Sequence, residues 1–486
     1  MSKEIINLEP KAVWGYFYQL TQVPRPSKKE EKIQDFMMAF GKSLGLPTEK
    51  DAVGNIIIRK PATPGMENRK GIILQGHLDM VPQKNNATVH DFGKDPIDAW
   101  IDGEWVKAKG TTLGADNGIG VAAAMAVLAS KELVHGPVEA LFTCDEETGM
   151  TGANGLQPGW LKGDILLNMD SEDEGELYVG CAGGVNGTAE FEYDEVIVPA
   201  GMVPFKVYLT GLKGGHSGLD IILGRGNANI LLARFLKYAV RELDVRLAEI
   251  NGGGMRNAIP REAYAIVAVP EENVADFKVA VSQYESIYKA ELSLVEPGLS
   301  FTTEATEMPK SLIEEIVQDD LIDAVNACPN GVIRMSDSMP GLVETSTNLA
   351  TVKSENGVIM VKCLLRSSVD SAKDDLAERI DSVFTLAGAT VIFDGAYPGW
   401  KPNMDSAILK EMKAIYENKF GKVPEVKAIH AGLECGILGG AYPHWDMISF
   451  GPTMRFPHSP DEKELIPTVE KFWDFLTETL KNAPVK

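Results

Sequence analysis

Residues 71–79 read Gly-Ile-Ile-Leu-Gln-Gly-His-Leu-Asp, an apolar run that ends in an imidazole and a carboxylate. Short apolar runs bounded by turn residues are typical of buried strands. In an extended segment, side chains two residues apart share a face, so His77 and Asp79 are expected on the same side. The run therefore predicts a strand that delivers two polar groups at its carboxyl end.

The same event recurs further along the chain. Three other strand-like runs lead into polar residues: 138–143 into Asp145, Glu146 and Glu147; 164–169 into Asp170; and 446–450, shortly before His458. An open α/β sheet gathers its functional groups beyond the carboxyl ends of its strands. We therefore expect these side chains, distant in sequence, to meet at one edge of a sheet.

Length and composition narrow the class of protein. A chain of 486 residues with 44% hydrophobic content favours two domains over a single core. Its 69 acidic and 47 basic side chains give a net charge of −22, which argues against nucleic acid and anionic membranes as partners. Without a signal-like start, a long apolar run or a CxxC pair, the sequence favours a soluble cytoplasmic protein with reduced thiols.

Alternating strand-like and helix-like segments predict a layered α/β fold. Ser27 to Glu30 match a capping box for the helix that follows, and a small-residue helix is expected at 117–131. After Gly184 the pattern changes to a second set of strands and helices, which includes a long helix at 227–249 and a hairpin turn at Asn356-Gly357. The sequence thus predicts a discontinuous first domain, 1–184 with 398–486, and an inserted α+β lid domain at 185–397.

Several polar residues form a candidate metal site. Asp116 lies in a glycine-rich loop, where it could equally be a helix N-cap. Three consecutive carboxylates at 145–147 are costly to gather unless a cation relieves their repulsion, although a solvated acidic turn is the alternative. Carboxylates and imidazoles without thiolates suit zinc, manganese or cobalt.

These motifs together resemble the M20 family of di-zinc peptidases. The ordered elements are His77-x-Asp79, Asp116-Asn117, Glu146-Glu147, Asp170 and a late His458 in Phe-Pro-His-Ser-Pro-Asp-Glu. Within the family, the Gly-His-Leu-Asp-Met-Val motif is similar to that of dipeptidases acting on Xaa-His substrates such as carnosine. The resemblance spans both ends of the chain and implies a zinc-peptidase catalytic domain with a lid.

Roles carried over from the family are expectations for this chain. Asp116 would bridge two divalent metals, most plausibly zinc, with the remaining ligands His77 and Asp170 on one and Glu147 and His458 on the other. Glu146 would be the general base, and Asp79 would orient the His77 imidazole. The family also implies a cis peptide bond between Asp116 and Asn117.

The lid and the last third of the chain supply expected substrate contacts. His216, among four glycines, resembles the histidine that stabilises the oxyanion, although a flexible loop is the alternative reading. Asn257 and Arg366 resemble residues that grip substrate, with Arg366 suited to a carboxylate unless it forms an ion pair at the sheet edge. His430 and Glu434 are expected to contact substrate and not metal.

The expected function is hydrolysis of unblocked dipeptides, with Xaa-His substrates as the leading class. Aspartate at position 170, where the family's carboxypeptidases and deacylases tend to have glutamate, favours the dipeptidase branch. The alternatives are an M20 deacylase or carboxypeptidase on N-blocked substrates, or a non-catalytic metal- or peptide-binding protein. The resemblance slightly favours a homodimer, and it leaves open whether His216 acts within its own subunit.

Overall fold

The computed structural model describes residues 3–486, which divide into two compact units. The first unit holds the chain up to Gly180 together with Pro402–Ala428 and Leu433–Lys486. The second unit holds Cys181–Lys401 and the short segment Ile429–Gly432. Within residues 3–486, no helix is both long and apolar enough to cross a membrane.

The first unit begins with a series of short elements. Its early helices are α1 (Lys11–Thr21), α2 (Glu31–Ser43), α3 (Ala115–Ala129), α4 (Glu146–Gly149) and α5 (Thr151–Gly155), after a 3-10 turn at Lys3–Asn7. Its early strands are β1 (Thr48–Lys50), β2 (Ile56–Lys60), β3 (Ile72–His77), β4 (Ala99–Asp102), β5 (Trp105–Ala108), β6 (Val138–Thr143), β7 (Ile165–Asn168) and β8 (Glu176–Cys181).

Strands of the second unit alternate with four helices. The strands are β9 (Gly183–Glu192), β10 (Glu195–Val196), β11 (Met202–Thr210), β12 (Gly215–His216), β13 (Arg246–Gly252), β14 (Ala258–Ile259), β15 (Ala263–Pro270), β16 (Ser300–Ala305), β17 (Leu312–Ile313), β18 (Gly331–Met335), β19 (Val343–Glu355), β20 (Val358–Ser367) and β21 (Thr390–Tyr397). The helices are α6 (Ala228–Leu243), α7 (Val274–Glu291), α8 (Glu315–Ala327) and α9 (Asp370–Leu386), with 3-10 turns at Ile221–Leu223 and Glu271–Asn273.

The chain then returns to the first unit. The last helices are α10 (Ala407–Phe420), α11 (Glu434–Ala441) and α12 (Ile466–Lys481). The last strands are β22 (Glu425–Ile429), β23 (Asp446–Ser449), β24 (Met454–Arg455) and β25 (Lys463–Leu465).

An eight-stranded sheet in the order β1-β2-β6-β3-β7-β23-β8-β22 organises the first unit. Strands β6, β3, β7 and β23 run parallel and are almost wholly buried. The alanine-rich helix α3 is buried along nearly its whole length and packs on β3 and α1. The predicted layered α/β fold is confirmed, and the carboxyl ends of these four strands share one edge.

Two copies of one topology build eight of the nine strands in the second unit's sheet, and the ninth, β18, pairs with β19. Strand β11, helix α6, strands β13 and β15, helix α7 and strand β16 form a βαββαβ motif with sheet order β16-β11-β15-β13. Strand β9, helix α8, strands β19 and β20, helix α9 and strand β21 repeat it with order β21-β9-β20-β19. We call these the inner half and the outer half, because the inner half lies between β9 and α8 in the chain. One hydrophobic core joins them.

Two local predictions are wrong. Ser27 does not cap a helix: its hydroxyl donates to the Met80 carbonyl, α2 begins at Glu31, and the Glu30 carboxylate accepts the Asp145 N–H at 3.1 Å. The helix expected at 227–249 ends at Leu243, because Asp244 takes a left-handed conformation with φ 50° and the following residues pair as β13. The Asn356-Gly357 hairpin turn is confirmed between β19 and β20, with positive φ at both residues.

Candidate metal centre

His77 ends strand β3, and its ring is enclosed by carboxylates. The side chain is buried, and Nδ1 lies 3.4 Å from Asp79 Oδ1. On the other side of the ring, Nε2 lies 2.9 Å from Asp116 Oδ1 and 3.5 Å from Asp170 Oδ1. One ring nitrogen is therefore available to orient the imidazole, while the other faces two potential metal ligands.

Asp116 lies at the centre of the cluster, with one carboxylate oxygen toward each of two histidines. Its Oδ1 faces His77, whereas Oδ2 lies 3.1 Å from His458 Nε2. The Asp116–Asn117 peptide bond is cis, as expected from the family resemblance. The Asp116 side chain therefore has the placement required of a bridging ligand.

Ligand atoms converge in two groups that share Asp116. Within each group the candidate atoms lie within 4.8 Å of one another: His77, Asp116 and Asp170 in one, and Asp116, Glu147 and His458 in the other. Glu147 Oε2 lies 3.0 Å from His458 Nε2. The five predicted ligands are thus brought together in the pairing expected from the resemblance.

The donor set suits divalent cations. Glu147 Oε1 and Asp170 Oδ1 are buried, and within residues 3–486 they have no hydrogen-bond partner, although His77 Nε2 lies near the second of them. Hydrogen bonds to Asp116 and Glu147 raise the pKa of His458 to about 11, which shows how strongly the carboxylates attract positive charge. Imidazole and carboxylate ligands of this kind fit zinc, manganese or cobalt.

Asp79 and Glu146 form a second layer around the cluster. The Asp79 carboxylate accepts the backbone N–H groups of Glu146 at 3.0 Å and Glu147 at 3.3 Å. Burial opposes the ionised form of Asp79, but hydrogen bonding to His77 and to this backbone outweighs it and lowers the pKa to about 2. Asp79 therefore orients the imidazole and also fixes the segment that carries the expected base.

Glu146 has the environment of a proton acceptor. Burial raises its pKa to about 9; the charge of His77 opposes this shift, whereas Glu434 and Asp170 add to it. Bound cations would act in the same sense as His77 and bring the pKa back toward neutrality, where a general base works best. Glu146 also lies in a third convergent group with His77 and Glu147.

Glu434 begins helix α11 in the first unit and is 2% exposed. Its Oε2 accepts hydrogen bonds from Gln75 Nε2 at 2.7 Å and from Thr143 Oγ1 at 3.1 Å. The other oxygen, Oε1, has no hydrogen-bond partner within residues 3–486. Glu434 thus offers a buried carboxylate oxygen to a cationic group close to Glu146 without joining either ligand group.

The remaining predicted substrate residues cluster in the second unit. Arg366 is 5% exposed; its Nε donates to Ser217 Oγ at 3.4 Å and its Nη1 to Tyr397 Oη at 3.3 Å. Among residues 3–486 no carboxylate forms an ion pair with this guanidinium, so the alternative of a sheet-edge ion pair is wrong. A buried, unpaired guanidinium is costly and indicates a place for an anion.

Two histidines accompany this arginine. His216 Nδ1 accepts the backbone N–H groups of Gly218 at 3.1 Å and Leu219 at 3.0 Å, so Nε2 carries the proton and is a hydrogen-bond donor. Burial and the charge of Arg366 lower the pKa of His430 to about 3, and its Nε2 lies 2.7 Å from Ser346 Oγ. Both histidines are therefore held neutral near pH 7.

Asn257 is the predicted residue that the structure supports least. Its side chain is exposed, and its backbone carbonyl accepts the Ser217 N–H at 2.9 Å. The contact places Asn257 beside the loop of His216 but assigns no task to its amide.

Sequence reasoning missed two residues that hold the centre together, Arg25 and Glu462. Both are buried and make hydrogen bonds to the backbone around Asp116. Glu462 closes the same Pro-His-Ser-Pro-Asp-Glu motif that supplied His458, and Arg25 lies between two prolines, so each had a local signal. A fourth convergent group, made by the buried Glu30, Asp79 and Asp145, is occupied by hydrogen bonds within the protein.

The fold and the site define a metallopeptidase-like protein, and comparison with known sequences identifies the family. Residues 73–482 match peptidase family M20/M25/M40, so the chain belongs to that family and the resemblance drawn from its motifs is confirmed. The cytosol non-specific dipeptidase of Escherichia coli (strain K12) is 51% identical over 483 residues, which cover 99% of this chain and 100% of that protein.

Solved structures agree with this assignment. The aminoacylhistidine dipeptidase from Vibrio alginolyticus has a TM-score of 0.97 at 51% identity, covering 100% of this chain and 99% of that one. The aminopeptidase PepT from Bacillus cereus has a TM-score of 0.57 at 15% identity, covering 98% of both chains, and it shares the fold.

Proposed function

We propose that this protein is a metal-dependent dipeptidase that hydrolyses unblocked dipeptides, with Xaa-His substrates such as β-alanyl-histidine as the leading class. The observation that carries the proposal is the pair of ligand groups sharing Asp116, with the half-buried carboxylate of Glu146, the proposed base, beside them. Full-length similarity to a cytosol non-specific dipeptidase and to an aminoacylhistidine dipeptidase supports the substrate class.

In this proposal each residue has a defined task. His77 and Asp170 would hold one metal ion, Glu147 and His458 would hold a second, and Asp116 would serve both; zinc fits this donor set best, and manganese or cobalt is acceptable. Bound metal ions supply Lewis acidity, which makes a water nucleophilic near neutral pH and polarises the scissile carbonyl. Glu146 takes the proton of the attacking water and passes it to the leaving amine. His216 donates a hydrogen bond from Nε2–H to the developing oxyanion.

Two charged groups explain why both ends of the substrate should be free. Glu434 presents a buried carboxylate oxygen that would pair with the substrate's ammonium group. Arg366 is a buried guanidinium that would hold the C-terminal carboxylate. His430 and Asn257 are proposed to line the same substrate position from the second unit.

The test compares β-Ala-His, Gly-Leu and N-acetyl-Gly-Leu as substrates of metal-stripped protein, with and without added zinc or manganese. We expect metal to restore cleavage of the two free dipeptides and not of the acetylated one. In the Glu434→Gln variant, the difference in cleavage rate between free and acetylated substrates should be smaller. Cleavage of the acetylated substrate alone would assign the protein to the deacylases and carboxypeptidases. Metal binding without any cleavage would make it a binding protein.

The domain roles and the assembly are also proposals. Residues 185–397 are proposed to act as a lid on the domain formed by 1–184 and 398–486, so a tight inhibitor should reduce the radius of gyration measured by solution scattering. A cytoplasmic homodimer is proposed because Val332, Ile333 and Met335 expose apolar side chains on the edge strand β18. Ile333→Lys should then halve the mass measured by light scattering.

A further inference from the structure

The loop that leads into Asp116 is held by a single distant carboxylate. Glu462 Oε2 accepts the N–H groups of Leu113 at 2.8 Å and Gly114 at 3.1 Å. Its Oε1 accepts those of Ala115 at 2.7 Å and Asp116 at 3.3 Å. Four successive backbone donors therefore converge on one side chain that is 2% exposed.

Arg25 holds the same loop through its carbonyl groups. Its Nη2 donates to the Gly114 carbonyl, and its Nη1 donates to the carbonyls of Leu78 and Asp79, each at 3.0 Å. Burial lowers the pKa of the Arg25 guanidinium, and the nearby carboxylates, Glu462 first among them, oppose that shift. Arg25 thereby ties the backbone after His77 to the loop before Asp116.

A helix start usually receives its cap from the residue just before it, but α3 has Gly114 at that position, which has no side chain to offer. Glu462 provides the acceptor instead, and it follows His458 by four residues. One segment therefore fixes both His458 and the loop of Asp116. The distances of 2.9 and 3.1 Å from the two Asp116 oxygens to the two histidines depend on that segment.

We propose that Glu462, together with Arg25, is a positioning residue that holds Asp116 where its two oxygens can serve two metal ions at once. This inference rests on the proposed two-metal site. Glu462 touches neither substrate nor metal in this role; it acts through the backbone of residues 113–116. A residue that only capped helix α3 would affect the stability of the protein without changing how tightly the metals bind.

The test uses Glu462→Gln in the full chain, with the exposed neighbour change Asp461→Asn as the matched control. Zinc affinity of the metal-stripped protein is measured by competition with a chromophoric chelator, alongside the melting temperature without metal and kcat and KM for Gly-Leu. We expect the weaker of the two zinc affinities to fall 10- to 100-fold, as is typical when a supporting hydrogen bond to a metal site is lost. kcat should fall and KM change less than threefold, while Asp461→Asn matches the wild type.

Three outcomes distinguish a positioning role of Glu462 from a purely structural one. Unchanged zinc affinity with a lower melting temperature would overturn the proposal and leave Glu462 as a structural cap. If Glu462→Gln does not fold, Arg25→Lys and Glu462→Asp take its place: weakened zinc binding in a folded variant supports the proposal, and wild-type binding in both overturns it. Fewer than two zinc ions on the wild type would instead refute the two-metal site on which the inference rests.

Discussion

At the scale of single residues, neighbouring glutamates have different surroundings. Glu147 lies 3.0 Å from His458, whereas burial raises the pKa of Glu146 to about 9, with the charges of Glu434 and Asp170 adding to the shift and that of His77 opposing it. The backbone N–H groups of both residues donate to the Asp79 carboxylate, which fixes the orientation of this segment. A one-residue step along the chain thus separates the proposed metal ligand Glu147 from the proposed proton acceptor Glu146.

Glu146→Gln should therefore abolish turnover without emptying the metal site. We expect kcat for Gly-Leu to fall by about 10²–10⁴-fold, the usual contribution of a general base. Zinc content after dialysis should stay at the wild-type value, and Glu147→Gln, the adjacent control, should lower it. A Glu146→Gln enzyme with full activity would contradict the assignment and favour a binding protein.

Arg366 leads to a prediction about the substrate's carboxyl end. Arg366→Met should raise KM for Gly-Leu by about 10- to 100-fold, because hydrogen bonds to a charged group contribute about 1.5–3 kcal/mol. The same change should have little effect on Gly-Leu amide, which lacks the carboxylate. Arg379→Met, on the exposed face of α9, is the control. An equal loss for both substrates would show that Arg366 has only a structural task.

Four proposed ligands, His77, Glu147, Asp170 and His458, could be predicted from sequence because each lies at or soon after the end of an apolar run, whereas Asp116 lies in a glycine-rich loop and was assigned through the family resemblance. Arg25 and Glu462 could not be assigned in the same way, since their partners are backbone groups of a loop about 90 and 350 residues away. Periodicity and spacing carry no information about such contacts. Likewise, whether a carboxylate lies close enough to pair with Arg366 depends on tertiary contacts that the sequence pattern does not reveal.

At the scale of elements, predictions held best where a segment's own pattern decides its structure. Strands β3, β6 and β7 and helix α3 lie within two residues of their expected bounds, because their apolar runs are unambiguous. The helix expected at 227–249 is shorter because residues 246–252 pair with β15, a tertiary contact that overrides local helix propensity. Edge strand β18 was not predicted, and it is formed by pairing with β19.

The loop before α3 depends on Gly114. This residue has φ 71°, and an added Cβ would lie 2.6 Å from Arg25 Nη2 and 2.9 Å from Met80 Sδ. Gly114→Ala should lower the free energy of unfolding by more than the roughly 1–2 kcal/mol of left-handed strain. Gly45→Ala is the matched control, since it has φ 69° and open space around it. If Gly114→Ala and Gly45→Ala lower the free energy of unfolding in urea equally, the contact between the added Cβ and Arg25 contributes nothing beyond the left-handed strain.

Strand β25 carries a buried acid whose charge the fold disfavours. Both carboxyl oxygens of Glu464 are buried without a partner among residues 3–486, and burial, then Glu462 and Glu172, raise its pKa well above the usual range. A raised pKa means that stability is fully present below the unfolded value of about 4.5 and is lost as pH rises through the folded value.

Glu464→Gln should therefore stabilise the protein at pH 8 by about 1–3 kcal/mol and have a much smaller effect at pH 5. Urea unfolding at the two pH values measures the difference, and Glu470→Gln on the exposed side of α12 is the control. Identical pH dependence in the variant and the wild type would show that Glu464 ionises freely in the folded state.

At the scale of the whole molecule, the sequence indicated an insertion but not its internal plan. The predicted insertion at 185–397 contains no evident sequence repeat. The structure shows that the inner and outer halves repeat one strand order. Pairing between strands that are distant in sequence creates this order, and hydrophobic periodicity does not encode it.

The position of the inner half within the outer half also determines the order in which the two can fold during synthesis. As the chain leaves the ribosome, the inner half is complete at residue 305 and the outer half only at residue 397. The first unit must then wait for the final stretch, which brings His458 and Glu462. Because a domain can fold only after its last strand has emerged, the inner half is expected to fold first, the outer half second and the first unit last. Its capacity to hold metal is thus acquired last, after the second unit has folded.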